Sequence, residues 1–192
     1  HSKTGSRILN RVENIEPYHL GFKNLFKSKI LKCIEQLFES SAVLFKDKIN
    51  FKMPGGSGFK AHQDVQAGWD RYCKLHITVL VSVDIANKEN GCLELSKGKH
   101  QDGIIGKRWV PLKEDSLDFI LCPTNPGDVV LFDSYCPHRS KPNNTSKPRR
   151  VLYITYNKLS DGDHRSKYYT DKRLHYPQDC ERDPNKKYEF LV

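Results

Sequence analysis

Two histidines and one aspartate in this chain could hold a single divalent metal: His62 and Asp64, one residue apart, and His138 far downstream. Two imidazoles and a carboxylate on one face of an ion leave the other face open for substrate and dioxygen, the facial arrangement of non-haem Fe(II) oxygenases. His-x-Asp suits it because alternate residues of an extended chain point the same way. His62 and Asp64 then converge while Gln63 turns elsewhere. The second histidine must come from a distant strand, and His138 follows the apolar run Val129-Val130-Leu131-Phe132, where such a strand ends. The triplet alone is a weak signal, and the same three ligands would also serve a zinc hydrolase.

The stretch after His138 adds a second chemical function. A turn-rich segment separates the histidine from the pair Arg149-Arg150, which opens a strand. A cosubstrate chelated to iron needs a fixed cation several ångströms from the metal, and a guanidinium fork pairs bidentately with a carboxylate. The dicarboxylate 2-oxoglutarate has the matching shape, with its keto-acid end on the metal and its far carboxylate on an arginine. A zinc hydrolase has no use for an arginine so placed. His76, in mid-strand, and His100, ending a turn, are not expected to be ligands.

These residues must be positioned by the elements between them. Phe22, Phe26, Ile30, Ile34, Leu37 and Phe38 fall at helical spacing, which predicts one helix over 22–39. The period then changes to two. Ile49-Asn50-Phe51-Lys52-Met53 alternates as a strand and ends at Pro54-Gly55-Gly56-Ser57-Gly58, a turn that leads into the His62 motif. Residues 75–85 give the clearest strand: Leu75, Ile77, Val79, Val81 and Val83 share one face, and His76, Thr78, Leu80, Ser82 and Asp84 the other. A polar second face on so apolar a strand suits the inside of a barrel that holds a ligand. Asn90-Gly91 turns the chain into Cys92-Leu93-Glu94-Leu95, residues 101–116 form a long charged connection around Trp109, and strands follow at about 117–121, 128–134 and 150–157. The expected fold is mainly β, a double-stranded β-helix of the jelly-roll or cupin-like kind. One domain over 1–192 is expected, with an N-terminal helical part over 1–47, a β core over 48–157 and an irregular tail over 158–192 that wraps the barrel as a lid. His1-Ser2 reads as the remnant of a tag, on a chain that begins inside a longer protein.

Composition narrows the classes. The chain has 192 residues, 29% of them charged, and carries no apolar run of the roughly 18 residues a membrane span needs. Six cysteines without a C-x-x-C pair read as reduced thiols in a cytoplasmic setting. The formal charge of +9 favours acidic partners, either nucleic acid or a small anion. Dispersed lysines argue against a dedicated nucleic-acid groove and for a small-molecule substrate; oligomeric state is left open.

Several segments carry a family resemblance in order: Lys52-Met53-Pro54-Gly55, His62-Gln63-Asp64, Glu89-Asn90-Gly91-Cys92-Leu93, Gly98-Lys99-His100, Pro126-Gly127-Asp128 and the spacing from His138 to Arg149. Together, across about residues 48–157, they resemble the phytanoyl-CoA dioxygenase family of Fe(II)- and 2-oxoglutarate-dependent oxygenases. The resemblance implies that Arg149, eleven residues past the distal histidine, binds the 2-oxoglutarate carboxylate with help from Ser140. Arg150 then faces outward by strand alternation. Thr78 and Gln63 are further candidates for the cosubstrate. Arg139 stands where the family usually has glycine, so the local loop is expected to differ. The implied reaction uses Fe(II), 2-oxoglutarate and O2, hydroxylates an organic substrate and releases succinate and CO2. Lys52, Gln66, Trp69 and Tyr72 are candidate substrate contacts. The tail is similar to that of bacterial members, some of them associated with 2-aminoethylphosphonate, so a small anionic or zwitterionic substrate such as a phosphonate or amine is expected. An acyl-CoA hydroxylase and an inactive β-helix binding protein are the other readings.

Overall fold

Two antiparallel sheets face each other in this computed structural model, which describes residues 8–186 and 188. The tag reading of His1-Ser2 lies outside the described residues. Chain order gives β1 (Arg11–Glu13), α1 (Leu20–Phe26), α2 (Lys29–Phe38), β2 (Ala42–Lys52), β3 (Phe59–His62), β4 (His76–Ser82), β5 (Leu93–Ser96), β6 (Phe119–Cys122), β7 (Val129–Asp133), β8 (His138–Ser140), β9 (Arg149–Lys158) and α3 (Arg165–His175). The larger sheet runs β1-β2-β9-β4-β7 and the smaller β3-β8-β5-β6. Strands that follow one another, such as β6 and β7, sit in different sheets. This is the architecture of a double-stranded β-helix.

Alternation along β4 and β9 decides what lies inside. Val79 of β4 and Leu152, Ile154 and Tyr156 of β9 face outward and pack with Phe26, Ile34 and Phe38 of the helices. Each such aromatic or branched side chain contributes roughly 1.5–3 kcal/mol on burial. The opposite face of β4, His76, Thr78, Leu80 and Ser82, is buried inside the barrel as the alternation predicts. The strand stops at Ser82 because the amides of Val83 and Asp84 turn to the Arg150 carbonyl.

Three expectations about elements are corrected. The helix over 22–39 is two helices, broken at Lys27-Ser28, where the Ser28 hydroxyl donates to the Leu25 carbonyl at 2.6 Å and accepts from the Ile30 amide at 3.5 Å. A serine in that place caps a new helix rather than continuing the old one. The strand at 49–53 is the end of β2, eleven residues long. The tail over 158–192 is not irregular throughout, since it contains α3, which packs on β2. Its only buried side chain is Tyr168, so it shows no apolar stripe. Tyr168 packs on Phe45 and Trp69, and polar contacts hold the rest: Arg165 pairs with Asp47 at 2.5 Å, Lys172 pairs with Glu13, and the Tyr169 hydroxyl donates to the Asp47 carbonyl at 3.0 Å. All six cysteines are free, and no helix among the described residues is long and apolar enough to cross a membrane.

Candidate metal centre

β3 and β8 lie side by side with His62 opposite His138. The register shifts between Phe59 and His62, so β3 carries one extra residue there, the kind of bulge that re-aims a side chain beside a site. Asp64 follows at the start of a short 3-10 helix, Asp64–Ala67. The ligand atoms of His62, Asp64 and His138 all lie within 4.8 Å of one another. Each imidazole presents Nδ1 to a carbonyl two residues before it, His62 to Lys60 at 2.7 Å and His138 to Cys136 at 3.0 Å. Donation from Nδ1 fixes the tautomer and leaves Nε2 as the free lone pair, the usual preparation of a metal ligand. Burial, and then the neighbouring His138, pushes the His62 imidazole down to about 3, so it is neutral. Burial raises the Asp64 carboxyl, but His138, Lys48, His62 and Lys46 outweigh it and keep the group ionised. Two imidazoles and one carboxylate are the donor set a divalent iron accepts.

The cluster opens on a cavity of about 610 Å3. Of the expected cosubstrate residues, Thr78 and Ser140 line it. Thr78 Oγ1 lies 3.0 Å from Thr155 Oγ1, and Ser140 Oγ accepts from Lys52 Nζ at 2.7 Å, which leaves the serine proton free to donate. Arg149 is 1% exposed on the inner face of β9, and its Nε has no hydrogen-bond partner. A buried guanidinium with an orphaned donor calls for an anion, and a carboxylate fits it. Arg150 faces out and grips Asp84 through two bonds of 2.8 Å.

Of the expected substrate contacts, Trp69 and Tyr72 line the cavity. Lys52 does not. Its ammonium is buried and gives its hydrogens to the Gly91 carbonyl, Ser140 Oγ and the Lys141 carbonyl, so it ties β2 to β8 and the turn before β5. That turn comes close because Gly91 has no side chain: a Cβ there would sit 2.0 Å from the Lys141 oxygen, at a φ of 71°. Gln63 and Gln66 are fully buried away from the cavity, with a different task. Gln63 Nε2 donates to the Gly103 and Tyr135 carbonyls and its Oε1 accepts from the Ile105 amide, while Gln66 Nε2 donates to the Lys107 and Val110 carbonyls. The two amides pin the long connection onto the metal motif. Arg139, in the family's glycine position, pairs with Glu94 and Glu114.

Residues that sequence reasoning missed include Lys46, Lys48 and Tyr153 on the larger sheet and Tyr168 and Lys172 on α3, all lining the cavity. The alternation Lys46-x-Lys48-x-Asn50-x-Lys52 was the available signal.

The model of the phytanoyl-CoA dioxygenase family matches residues 11–151. The chain belongs to that family. Its members are Fe(II)- and 2-oxoglutarate-dependent oxygenases, and the His-Asp-His cluster fits their iron. Among similar proteins is 2-aminoethylphosphonate dioxygenase of the uncultured bacterium HF130_AEPn_1, 44% identical over 97% of this chain and 73% of that protein. A methylphosphonate hydroxylase of Gimesia maris is also 44% identical, over 88% of this chain and 66% of its own length. Among solved structures, EctD from S. alaskensis with 2-oxoglutarate and 5-hydroxyectoine superposes with a TM-score of 0.72 at 20% identity, over 84% of this chain and 60% of that one. That likeness speaks to the fold.

Proposed function

We propose that the chain is an Fe(II)- and 2-oxoglutarate-dependent dioxygenase that hydroxylates a small phosphonate or a related anionic or zwitterionic molecule. The observation that carries this is one cavity bounded by a tautomer-fixed His62, Asp64 and His138, beside a buried Arg149 with an orphaned Nε. His62, Asp64 and His138 hold Fe(II); Arg149, Ser140 and Thr78 take 2-oxoglutarate. With O2, the iron and cosubstrate supply the oxidising chemistry, and succinate and CO2 leave. The chain's own part is to place the groups and keep water out. Trp69, Tyr72 and Tyr168 wall the cavity, and α3 roofs it.

The names of the two relatives support phosphonates as the substrate class. The cavity lies within the roughly 300–1,000 Å3 of small-molecule sites, and the α3 roof favours a small substrate over an acyl-CoA ester. Three cations, Lys46, Lys52 and Arg149, are buried inside the barrel, which supports a small anion as ligand. A single oxygenase domain and a cytoplasmic, reducing location belong to the same reading; the free cysteines support the latter.

The test is anaerobic titration with Fe(II) and 2-oxoglutarate, followed by succinate release on admitting O2 with methylphosphonate, 2-aminoethylphosphonate, small quaternary amines or acyl-CoA esters. A visible charge-transfer band and phosphonate-stimulated succinate are expected. No band would refute the oxygenase, and stimulation by acyl-CoA alone would refute the small substrate.

A further inference from the structure

Four cations meet where β1, β2 and α3 converge on the cavity wall: Arg11, Lys46, Lys48 and Lys172. One carboxylate serves three of them. Glu13 lies 3.2 Å from Arg11 and 3.9 Å from Lys46, and it pairs with Lys172. Arg11 is also steadied by Asn50, which accepts from its Nε at 3.2 Å. Lys46 is 5% exposed, its ammonium 5.0 Å from the centre of the Trp69 ring and 5.3 Å from that of Tyr168. Lys48 has no carboxylate partner among the described residues; its ammonium sits 4.9 Å over Tyr153.

Four basic side chains share one carboxylate on this wall, and burial, with Arg11 and Lys46 close by, pushes the Lys48 ammonium well below its ordinary value. Cations drawn out of water need a compensating anion in contact. Aromatic faces offset part of that cost without neutralising the charge. The nearby acids are engaged elsewhere. Asp64 belongs to the metal cluster, and Asp171 accepts from the Tyr72 hydroxyl at 2.7 Å and from Lys167 at 2.8 Å. The wall is short of an anion that the protein does not itself provide.

We propose that Arg11, Lys46, Lys48 and Lys172 form the subsite for the phosphonate group of the substrate, a tetrahedral anion, and that α3 completes it through Lys172. The proposal rests on the oxygenase reading for its chemistry. A carboxylate offers two oxygens and one charge, whereas a phosphonate offers three oxygens and up to two charges to several donors at once. Glu13 is a positioning residue that holds three of the cations in register. The family match ends at residue 151, so α3 contributes from outside it. Selectivity for the anionic group then resides partly in a segment that the shared core lacks.

The test is calorimetric titration of methylphosphonate into the full chain with Fe(II) and 2-oxoglutarate, without O2, so that nothing turns over. The unmodified protein should bind. Lys48→Met and Lys172→Met should each weaken binding roughly 30-fold or more, the loss expected when one partner of a buried charge contact is truncated. Lys172→Arg should hold it within a few-fold, and Arg173→Met, exposed on α3 and off the cavity, should leave it unaltered. Inorganic phosphate should compete, and acetate at the same concentration should not. Melting temperatures report whether the variants fold. If Lys172→Met unseats α3, Lys48→Met on β2 decides the matter. Absence of binding by the unmodified protein, or binding by Lys48→Met within twofold of it, overturns the subsite. Phosphonate binding that depends on Lys48 without any charge-transfer band would instead refute the iron and 2-oxoglutarate assignment and leave the anion subsite standing.

Discussion

Each imidazole of the metal cluster gives its Nδ1 hydrogen to the carbonyl two residues before it, which leaves Nε2 free in a cluster whose ligand atoms lie within 4.8 Å of one another. Replacing His138 with alanine should therefore remove a ligand without unfolding β8. Fe(II) stoichiometry measured anaerobically should fall to near zero, and an unchanged value would sink the cluster as the iron site. Arg149 and Arg150 are adjacent, yet one is buried with an orphaned donor and the other lies outside on Asp84. Breaking a buried charge pair costs roughly 3–5 kcal/mol. Arg149→Ala should accordingly raise the 2-oxoglutarate requirement by about two decades or more, and Arg150→Ala should barely move it; equal effects in a 2-oxoglutarate titration would refute the assignment. Lys52 gives its hydrogens to three oxygens inside the barrel. Lys52→Met would leave three acceptors bare and should cost roughly 3 kcal/mol. Urea unfolding that shows no loss would mean the ammonium does not tie β2 to β8.

Among the elements, α3 depends most on single contacts. It has little apolar surface to bury, so its seat on β2 depends on Arg165 reaching Asp47, a carboxylate with no solvent exposure. Arg165→Met would leave that charge uncompensated and should lower the melting temperature by roughly 10 °C. Lys167→Met, an exposed i,i+4 pair with Asp171, should shift it by roughly 1 °C or less. Scanning calorimetry separates the two; similar shifts would show that α3 is not held through Asp47.

Over the whole molecule, charge that composition suggests lies on the surface is in part internal, and this couples stability to pH. Burial raises the Glu13 carboxyl, yet Lys46, Arg11 and Lys172 outweigh it and hold it well below its ordinary value of 4.5. A depressed carboxyl contributes stability that is fully present above its unfolded pKa and is lost as pH falls through the folded value. Stability should decline as pH drops below about 4.5. Glu13→Gln should lower stability at pH 7 and flatten that acid limb. Melting curves of the two proteins from pH 7 to 3 check this, and parallel curves would count against it.

What the sequence determined by itself is whatever depends on local period and spacing. The alternation along 75–85 identified the inner and outer faces of β4, because successive side chains of a strand must point opposite ways. The His-x-Asp motif and the strand-end His138 marked a candidate metal site, since alternate residues of an extended chain point the same way; Arg149 was singled out by the family resemblance. Tertiary structure alone decided what was buried. Lys46, Lys48 and Lys52 alternate along β2, and alternating lysines read as a solvent face until a second sheet and α3 close over them. Gln63 and Gln66 sit in the metal motif, but where their amides point depends on the path of the 101–116 connection, which no local pattern sets. The helix at 165–175 was invisible to hydrophobic periodicity because charge pairs across the chain hold it. Such pairs have no period to read: Arg165 meets Asp47, and Lys172 meets Glu13, only once the barrel has brought β1 and β2 beneath the tail.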